Sequence, residues 1–173
     1  NLEQNSCPCC NGGLSVIGSR KRKYISSDGN RNTLVIRRLR CRQCKHIHHE
    51  LPDILVPYKR YDSESIESAL EDRSNLAVAA DDSTISRWRL WFSAGLNHFL
   101  GCLTSITAKL GKKAAENIAC SPRSRFQRVI DFVGDAAGWL ARIVRSVANT
   151  NNWIHTRSAF LSWQPGCRLM LRT

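Results

Sequence analysis

Cys7-Pro8-Cys9-Cys10 and Cys41-Arg42-Gln43-Cys44 hold two C-x2-C pairs, Cys7 with Cys10 and Cys41 with Cys44, separated by thirty residues. A C-x2-C turn aims two sulfurs at one point while its backbone amides offset their charge, so two such turns close one tetrahedral site, and the spacing predicts a single structural Zn2+. Between the pairs, Leu14, Val16 and Ile17 precede the turn signal Asp28-Gly29-Asn30, and Leu34, Val35 and Ile36 follow it. That is the plan of a β-hairpin, and with the cysteines it makes residues 1–50 a zinc ribbon. A module so small buries little apolar surface, so metal binding, on the order of 10 to 16 kcal/mol in small zinc modules, would supply most of its folding energy. Without metal, residues 1–50 are expected to be largely unfolded.

Eight cysteines also admit a disulfide framework. Against it, no apolar signal segment is read at the start and the basic, helix-rich remainder reads as cytoplasmic and nucleoid-associated, where thiols stay reduced. Cys9 is read as a bystander, because using it would leave a gap of one residue or none. His46, His48 and His49 follow the second pair closely and are the candidates to replace a thiolate. Cys102, Cys120 and Cys167 are scattered and read as small buried hydrophobes.

The net charge of +12 over 173 residues is unevenly placed. Residues 1–60 carry 12 Lys/Arg against 4 Asp/Glu, residues 61–111 carry 4 against 7, and residues 112–173 carry 10 against 3. Basic ends around an acidic middle favour a polyanionic partner, of which nucleic acid is the commonest. Both hairpin arms are basic, and Arg20, Lys21, Arg22, Lys23, Arg37 and Arg38, with Lys59 and Arg60 beyond, are the candidate phosphate contacts. Alternation along a strand puts Arg20 and Arg22 on one face and Lys21 and Lys23 on the other. No run of eighteen apolar residues occurs, so no membrane span is expected.

Residues 51–61 contain Pro52 and Pro57, which forbid a regular helix and predict an extended connector packing Ile54, Leu55, Val56 and Tyr58 on the next module. Here the residues carry a resemblance. Cys7-Pro8-x-Cys10, then Arg37-Arg38-Leu39-Arg40-Cys41-x-x-Cys44, then the run from His48-His49-Glu50-Leu51-Pro52 to Tyr58-Lys59-Arg60-Tyr61 resemble an uncharacterised bacterial family, itself similar to the zinc-ribbon and helix-turn-helix front ends of insertion-sequence transposases. The likeness is specific over residues 7–61 and weaker over 62–100. It implies double-stranded DNA as partner in a mobile-element setting, with a transposase or integrase as a candidate protein partner and a homodimer left open; it does not imply catalysis.

The expected fold is small α+β, a ribbon followed by a mainly helical domain. Residues 62–111 read as a helix-turn-helix with a long third helix. Asp62 or Ser63 caps a first helix with Ile66, Ala69 and Leu70 on one face, and Asp81-Asp82-Ser83 caps a second with Ile85, Trp88 and Phe92 on one face. Ser83-Thr84-Ile85-Ser86-Arg87-Trp88 is similar to the start of homeodomain-like recognition helices, which implies Ser83, Thr84, Ser86, Arg87 and Arg89 as base contacts. The turn lacks its usual glycine, and the two acids sit where they would repel phosphate. Leu96, Phe99, Leu100, Leu103, Ile106 and Leu110 continue the helix toward Gly111 despite Gly95 and Gly101.

Residues 112–173 read as a helical region packing on 96–110. Ser121-Pro122 opens a helix whose apolar stripe runs from Phe126 through Val133 and Ala137 to Val147, with Arg125, Arg128, Arg142 and Arg145 on a solvated face; Trp153–Trp163 reads as a last short helix. No enzyme is read: Glu116, Asp131 and Asp135 do not form a carboxylate cluster on a strand-helix alternation, and no phosphate-cradling glycine loop occurs. The residues therefore read as a zinc-dependent DNA-binding protein that targets or regulates. Two other readings stand beside it: an RNA-binding zinc ribbon, for which Tyr24 would be the only stacking aromatic on the hairpin, and a protein-interaction adaptor docking through the helical stripe of residues 126–147.

Overall fold

The computed structural model describes residues 6–71, 78–109, 122–153 and 159–162. In chain order these form β1 (Leu14–Ile25), β2 (Arg31–Cys41), β3 (Ile47–Pro52), α1 (Ser63–Glu71), α2 (Asp82–Lys109), α3 (Arg125–Val133), α4 (Trp139–Asn149) and β4 (Ala159–Ser162). The small α+β expectation holds. A three-strand antiparallel unit, β1-β2-β3, precedes four helices among the described residues, and β4 adds to it in parallel on the β3 edge.

The hairpin forms where its turn signal lies. Gly29 takes φ +81°, which a Cβ would penalise, and Asp28 accepts from the Asn30 amide and from the Ser26 hydroxyl, tying the turn. Arg22 stands opposite Leu34 and Arg20 opposite Ile36, while Val16 stands opposite Leu39 after a shift of register at Ile17. Leu34 and Ile36 are buried, and so are Leu39 and Cys41. Because side chains alternate along a strand, these two pairs lie on opposite faces of β2. The turn end packs one face on the helices through Tyr24, Leu34 and Ile36, and the cysteine end buries the other face with His48. The ribbon is thus docked on the helical region.

β3 takes the first two residues of the expected connector, Leu51 and Pro52. Ile47, His48 and His49 pair with β2, and Glu50, Leu51 and Pro52 with β4, so the segment up to Pro52 belongs to the sheet, and residues 53–60 run through turns around the bridge of Leu55 to Asp62. Leu55 and Val56 are buried as expected, but Ile54 and Tyr58 are exposed. Tyr58 adopts φ +62°, which turns its ring outward from the packed segment.

Asp62 caps α1: one carboxylate oxygen accepts the Ser65 amide at 2.9 Å, and the other accepts the Ser27 amide at 2.9 Å, clamping the hairpin turn to the helix. Asp81 caps α2. It accepts from the Thr84 amide at 2.7 Å and from the hydroxyls of Ser83 and Thr84, and these bonds hold its carboxyl down at about 2. α2 runs unbroken from Asp82 to Lys109 through Gly95 and Gly101. The predicted end at Gly111 lies outside the described residues, as do Leu110, Glu116, Cys120, Ser121, Ile154 and the tail from Trp163.

Gly95 has a packing reason. A Cβ there would stand 2.9 Å from Cε2 of Phe99, whose ring is buried and stacked on Trp153 at 5.8 Å between centroids. Ala gains about 1 kcal/mol of helix propensity over Gly, whereas overpacking a filled core costs about 1 to 3 kcal/mol. Gly95→Ala is therefore expected to lower stability by roughly 1 kcal/mol, read as a lower denaturation midpoint at unchanged slope. A gain in stability would show that the ring gives way freely.

The expected long helix over residues 122–147 is two helices. The stripe is interrupted at Gly134 (φ +81°) and Gly138 (φ +85°), which separate α3 from α4. The Arg142 guanidinium holds the connection, donating to the carbonyls of Val133, Gly134, Ala136 and Ala137 at 2.5–3.0 Å. Arg145 pairs with Asp53. These two arginines thus serve the fold and do not form a free solvated face. Phe126 and Trp139 close on Phe92 of α2, at 5.9 and 5.4 Å between centroids, as the core of this half. The expected helix over Trp153–Trp163 is also corrected: Ala159–Ser162 is a strand on β3.

Candidate metal centre

Both cysteine pairs sit in matching turns. Each is followed by a residue in the left-handed region, Asn11 at φ +57° and Lys45 at φ +64°, which swings the chain away after the second sulfur. The first turn is closed by the Cys7 amide donating to Gly12 and the second by the Cys41 amide donating to His46, and the Arg42 amide donates across to Gly13. The turns press together closely: a Cβ on Gly12 would stand 2.7 Å from the Gln43 side chain. This contact, with the β1–β2 pairing of Leu14 and Cys41, brings four sulfurs to one point.

The ligand atoms of Cys7, Cys10, Cys41 and Cys44 all lie within 4.8 Å of one another. Cys7 and Cys44 sulfurs are 3.6 Å apart and Cys10 and Cys41 sulfurs 3.5 Å. Disulfide sulfurs lie about 2.05 Å apart, whereas four thiolates about 2.3 Å from a common zinc ion stand about 3.8 Å apart. The spacing fits a tetrahedral tetrathiolate and excludes a disulfide between these partners. The four cysteines, a candidate site on sequence, can hold a metal ion.

Their electrostatics suit a cation. Burial opposes ionisation of Cys41, but the amides of Cys44 and Gln43 and the adjoining thiols outweigh it, and it comes down to about 6. At Cys44 the His46 amide favours the thiolate; burial and the neighbouring sulfurs overcome this and push it up to about 12. Burial likewise raises Cys7. The Cys41 sulfur ionises readily, whereas Cys7 and Cys44 need a positive charge among them before they can follow.

His48 and Cys9 also belong to this end of the ribbon. His48 is fully buried, its Nε2 3.2 Å from the Cys7 sulfur, and Cys9, Cys7 and His48 form a second group of ligand atoms within 4.8 Å. Cys9 is exposed. Of the three histidines, His46 is exposed, and His49 is turned to the other face, where burial first and then Arg20 and Arg38 depress its ionisation. The contact between His48 and Cys7 was foreshadowed only by the nearness of histidines to Cys44; strand pairing of β3 with β2 puts this one on the cysteine face.

The basic residues divide by what they touch. Arg20, Lys21, Lys23 and Arg60 are exposed. Arg22 is half-buried and donates to the Lys59 carbonyl at 2.8 Å. Arg37 forms a two-pronged ion pair with Glu50. Arg38 is half-buried beside His49, and Lys59 stands 4.2 Å over the Trp91 ring. Arg22, Arg37 and Lys59 are thus committed to the fold. Among the expected base contacts, Ser83, Ser86 and Arg87 are exposed and Thr84 half-buried on the first turns of α2, whereas Arg89 turns back to the Ala69 carbonyl at 2.9 Å and ties α2 to α1. Arg87 folds over its own helix end, donating to the Ser83 carbonyl at 3.1 Å and the Thr84 hydroxyl at 2.9 Å.

Residues 7–88 match the model of a family described as a domain of unknown function, DUF6431. The matched segment begins at the first cysteine of the site and ends at Trp88 on α2, so it takes in the cysteine turns, the three antiparallel strands, α1 and the start of α2. No curated protein and no solved structure matches the chain. No described helix is long and apolar enough to cross a membrane.

Proposed function

We propose that the chain is a zinc-dependent DNA-binding protein, a targeting or regulatory factor of a mobile genetic element whose chemistry is carried out by a separate enzyme. The observation that carries this reading is the contact between Gly29 at the hairpin tip and Ala79 at the entry to α2, where an added Cβ would stand 3.0 Å from the alanine methyl. It sets the hairpin tip beside the helix start that carries Ser83, Ser86 and Arg87. Exposed Lys21 and Lys23 then track phosphate while the first turns of α2 reach base edges. Asp81, spent on capping, is turned to its own helix. The exposed bonds of Arg87 to Ser83 and Thr84 are cheap to exchange for a guanine edge.

The other two readings lose their motives. Tyr24 is buried against the helices, so it offers no stacking platform for single-stranded RNA. Val129, Ile130, Leu140, Val144 and Val147 are buried within the chain, so the stripe expected to dock a partner is already covered.

The test is a selection from random double-stranded DNA at near-physiological salt with metal-loaded and metal-stripped protein. A consensus that disappears on stripping is expected. On that consensus, Arg87→Ala should cost about 1 to 3 kcal/mol and relax preference at one position, while Lys21→Ala weakens all sequences alike and lowers the salt slope. Equal effects of both variants on consensus and random DNA would remove α2 as the reading element.

A further inference from the structure

Cys7 belongs to two ligand groups at once, the set with Cys10, Cys41 and Cys44 and the set with Cys9 and His48. We propose that Cys9 and His48 form, with the Cys7 sulfur as a bridge, a second position for a thiophilic metal ion next to the four-cysteine site. The inference rests on the reading of the four cysteines as the first metal position.

The donor chemistry suits such an ion. Two sulfurs and one imidazole nitrogen are ligands that zinc, cadmium or cuprous ions accept, and three protein ligands leave a fourth place for water or an incoming ligand. The burial of the three is graded: Cys7 and His48 are fully buried, and Cys9 is exposed. An ion held there is therefore anchored on its inner side and open on its outer side. Its geometry is also fixed by the fold. His48 is paired in register with Leu39 on β2, which holds its ring against the Cys7 sulfur at 3.2 Å, and Cys9 lies inside the same tight turn as Cys7.

Charge favours a second ion as well. Four thiolates around one divalent ion leave an excess of two negative charges, and a second divalent ion bringing only the Cys9 thiolate with it halves that excess. A bridging thiolate donates a further lone pair without a further deprotonation. The first position, with four protein ligands, is expected to fill first and hold its ion; the second, with a shared ligand and an open face, is expected to exchange. An exchangeable soft-metal position on a structural site would let the ribbon take up or hand over an ion without unfolding.

The metal-free, reduced full chain would be titrated with Zn2+ and its stoichiometry read by native mass spectrometry, beside Cys9→Ser, His48→Asn and Cys41→Ser. The wild type is expected to fill to one ion and then to two, and Cys9→Ser to stop at one. His48→Asn should also stop at one; if its buried substitution prevents folding, the exposed Cys9 variant still decides. A wild type that saturates at one ion overturns the second position and leaves the first intact. A Cys9→Ser chain that still takes two ions also overturns it, since other thiols would then be the source. No bound ion in the wild type would remove the four-cysteine site itself, and the second position with it.

Discussion

Cys41→Ser is expected to abolish stoichiometric metal binding and to unfold the cysteine end of the ribbon while the hairpin tip stays ordered. Cys41 is fully buried, closes the β1–β2 ladder opposite Leu14 and carries a sulfur whose ionisation the Cys44 and Gln43 amides favour. A hydroxyl in its place is a poor ligand and a buried polar group. Metal binding contributes on the order of 10 to 16 kcal/mol in small zinc modules, as much as the whole stability of an ordinary domain, so the turns have nothing of comparable size to replace it. The two-faced burial of β2 limits the damage. Tyr24, Leu34 and Ile36 are held by the helical core whether or not metal is present. Amide hydrogen exchange should therefore show protection lost over residues 7–16 and 39–48 and retained near Ile25 and Leu34. Loss along the whole hairpin would mean that the ribbon folds as one unit with its metal, as a reading of residues 1–50 by themselves implies.

Glu67→Ala is expected to have the second-largest effect, although Glu67 is neither a cysteine ligand nor a candidate DNA contact. Glu67 is buried on α1 and accepts the Gly138 amide at 2.6 Å and the Leu140 amide at 2.8 Å, one with each carboxylate oxygen. α4 begins at Gly138, which has no side chain to cap it, so the helix borrows its cap from α1. Glu71 adds a hydrogen bond from the Trp139 indole beside it. Bonds to a charged acceptor contribute about 1.5 to 3 kcal/mol each, and truncation leaves two amide donors without it, so a loss of roughly 3 to 5 kcal/mol follows. Glu67→Gln should recover less than half, because its amide nitrogen would face one of the two donors. Urea denaturation followed by the helical signal checks both, and a change under about 1 kcal/mol for the alanine variant would show that water replaces the cap at little cost.

Local chemistry made part of this legible. The C-x2-C spacing announced the four sulfurs, since the geometry of each turn is contained in four residues. Asp28-Gly29-Asn30 announced the hairpin, and Asp81 and Asp62 announced helix starts, because each signal acts within three residues of itself. Apolar periodicity marked α2, whose stripe is interrupted only by glycines that a helix tolerates. The same periodicity misjudged residues 122–147, because spacing alone does not register that Gly134 and Gly138 break the helix. Strand β4 was equally illegible: a short strand exists only where an edge is waiting, and no third strand had been read where β3 supplies that edge.

The basic residues show the same division most sharply. From the sequence Arg22, Arg37, Lys59, Arg89, Arg142 and Arg145 were charges available to a polyanion or to solvent, equivalent to Lys21 or Arg87. In the fold, Arg37 meets Glu50 on β3, Lys59 meets Trp91, Arg89 meets the end of α1, and Arg142 gathers four carbonyls at the end of α3 and in the segment before α4. What the sequence by itself determined is whatever short-range geometry enforces: the cysteine turns, the hairpin, the helix caps and the overall excess of positive charge. Which charges remain free, which histidine reaches the sulfurs and where a stripe breaks were decided only by tertiary structure, because each depends on a partner far along the chain, and a residue's chemistry does not name that partner.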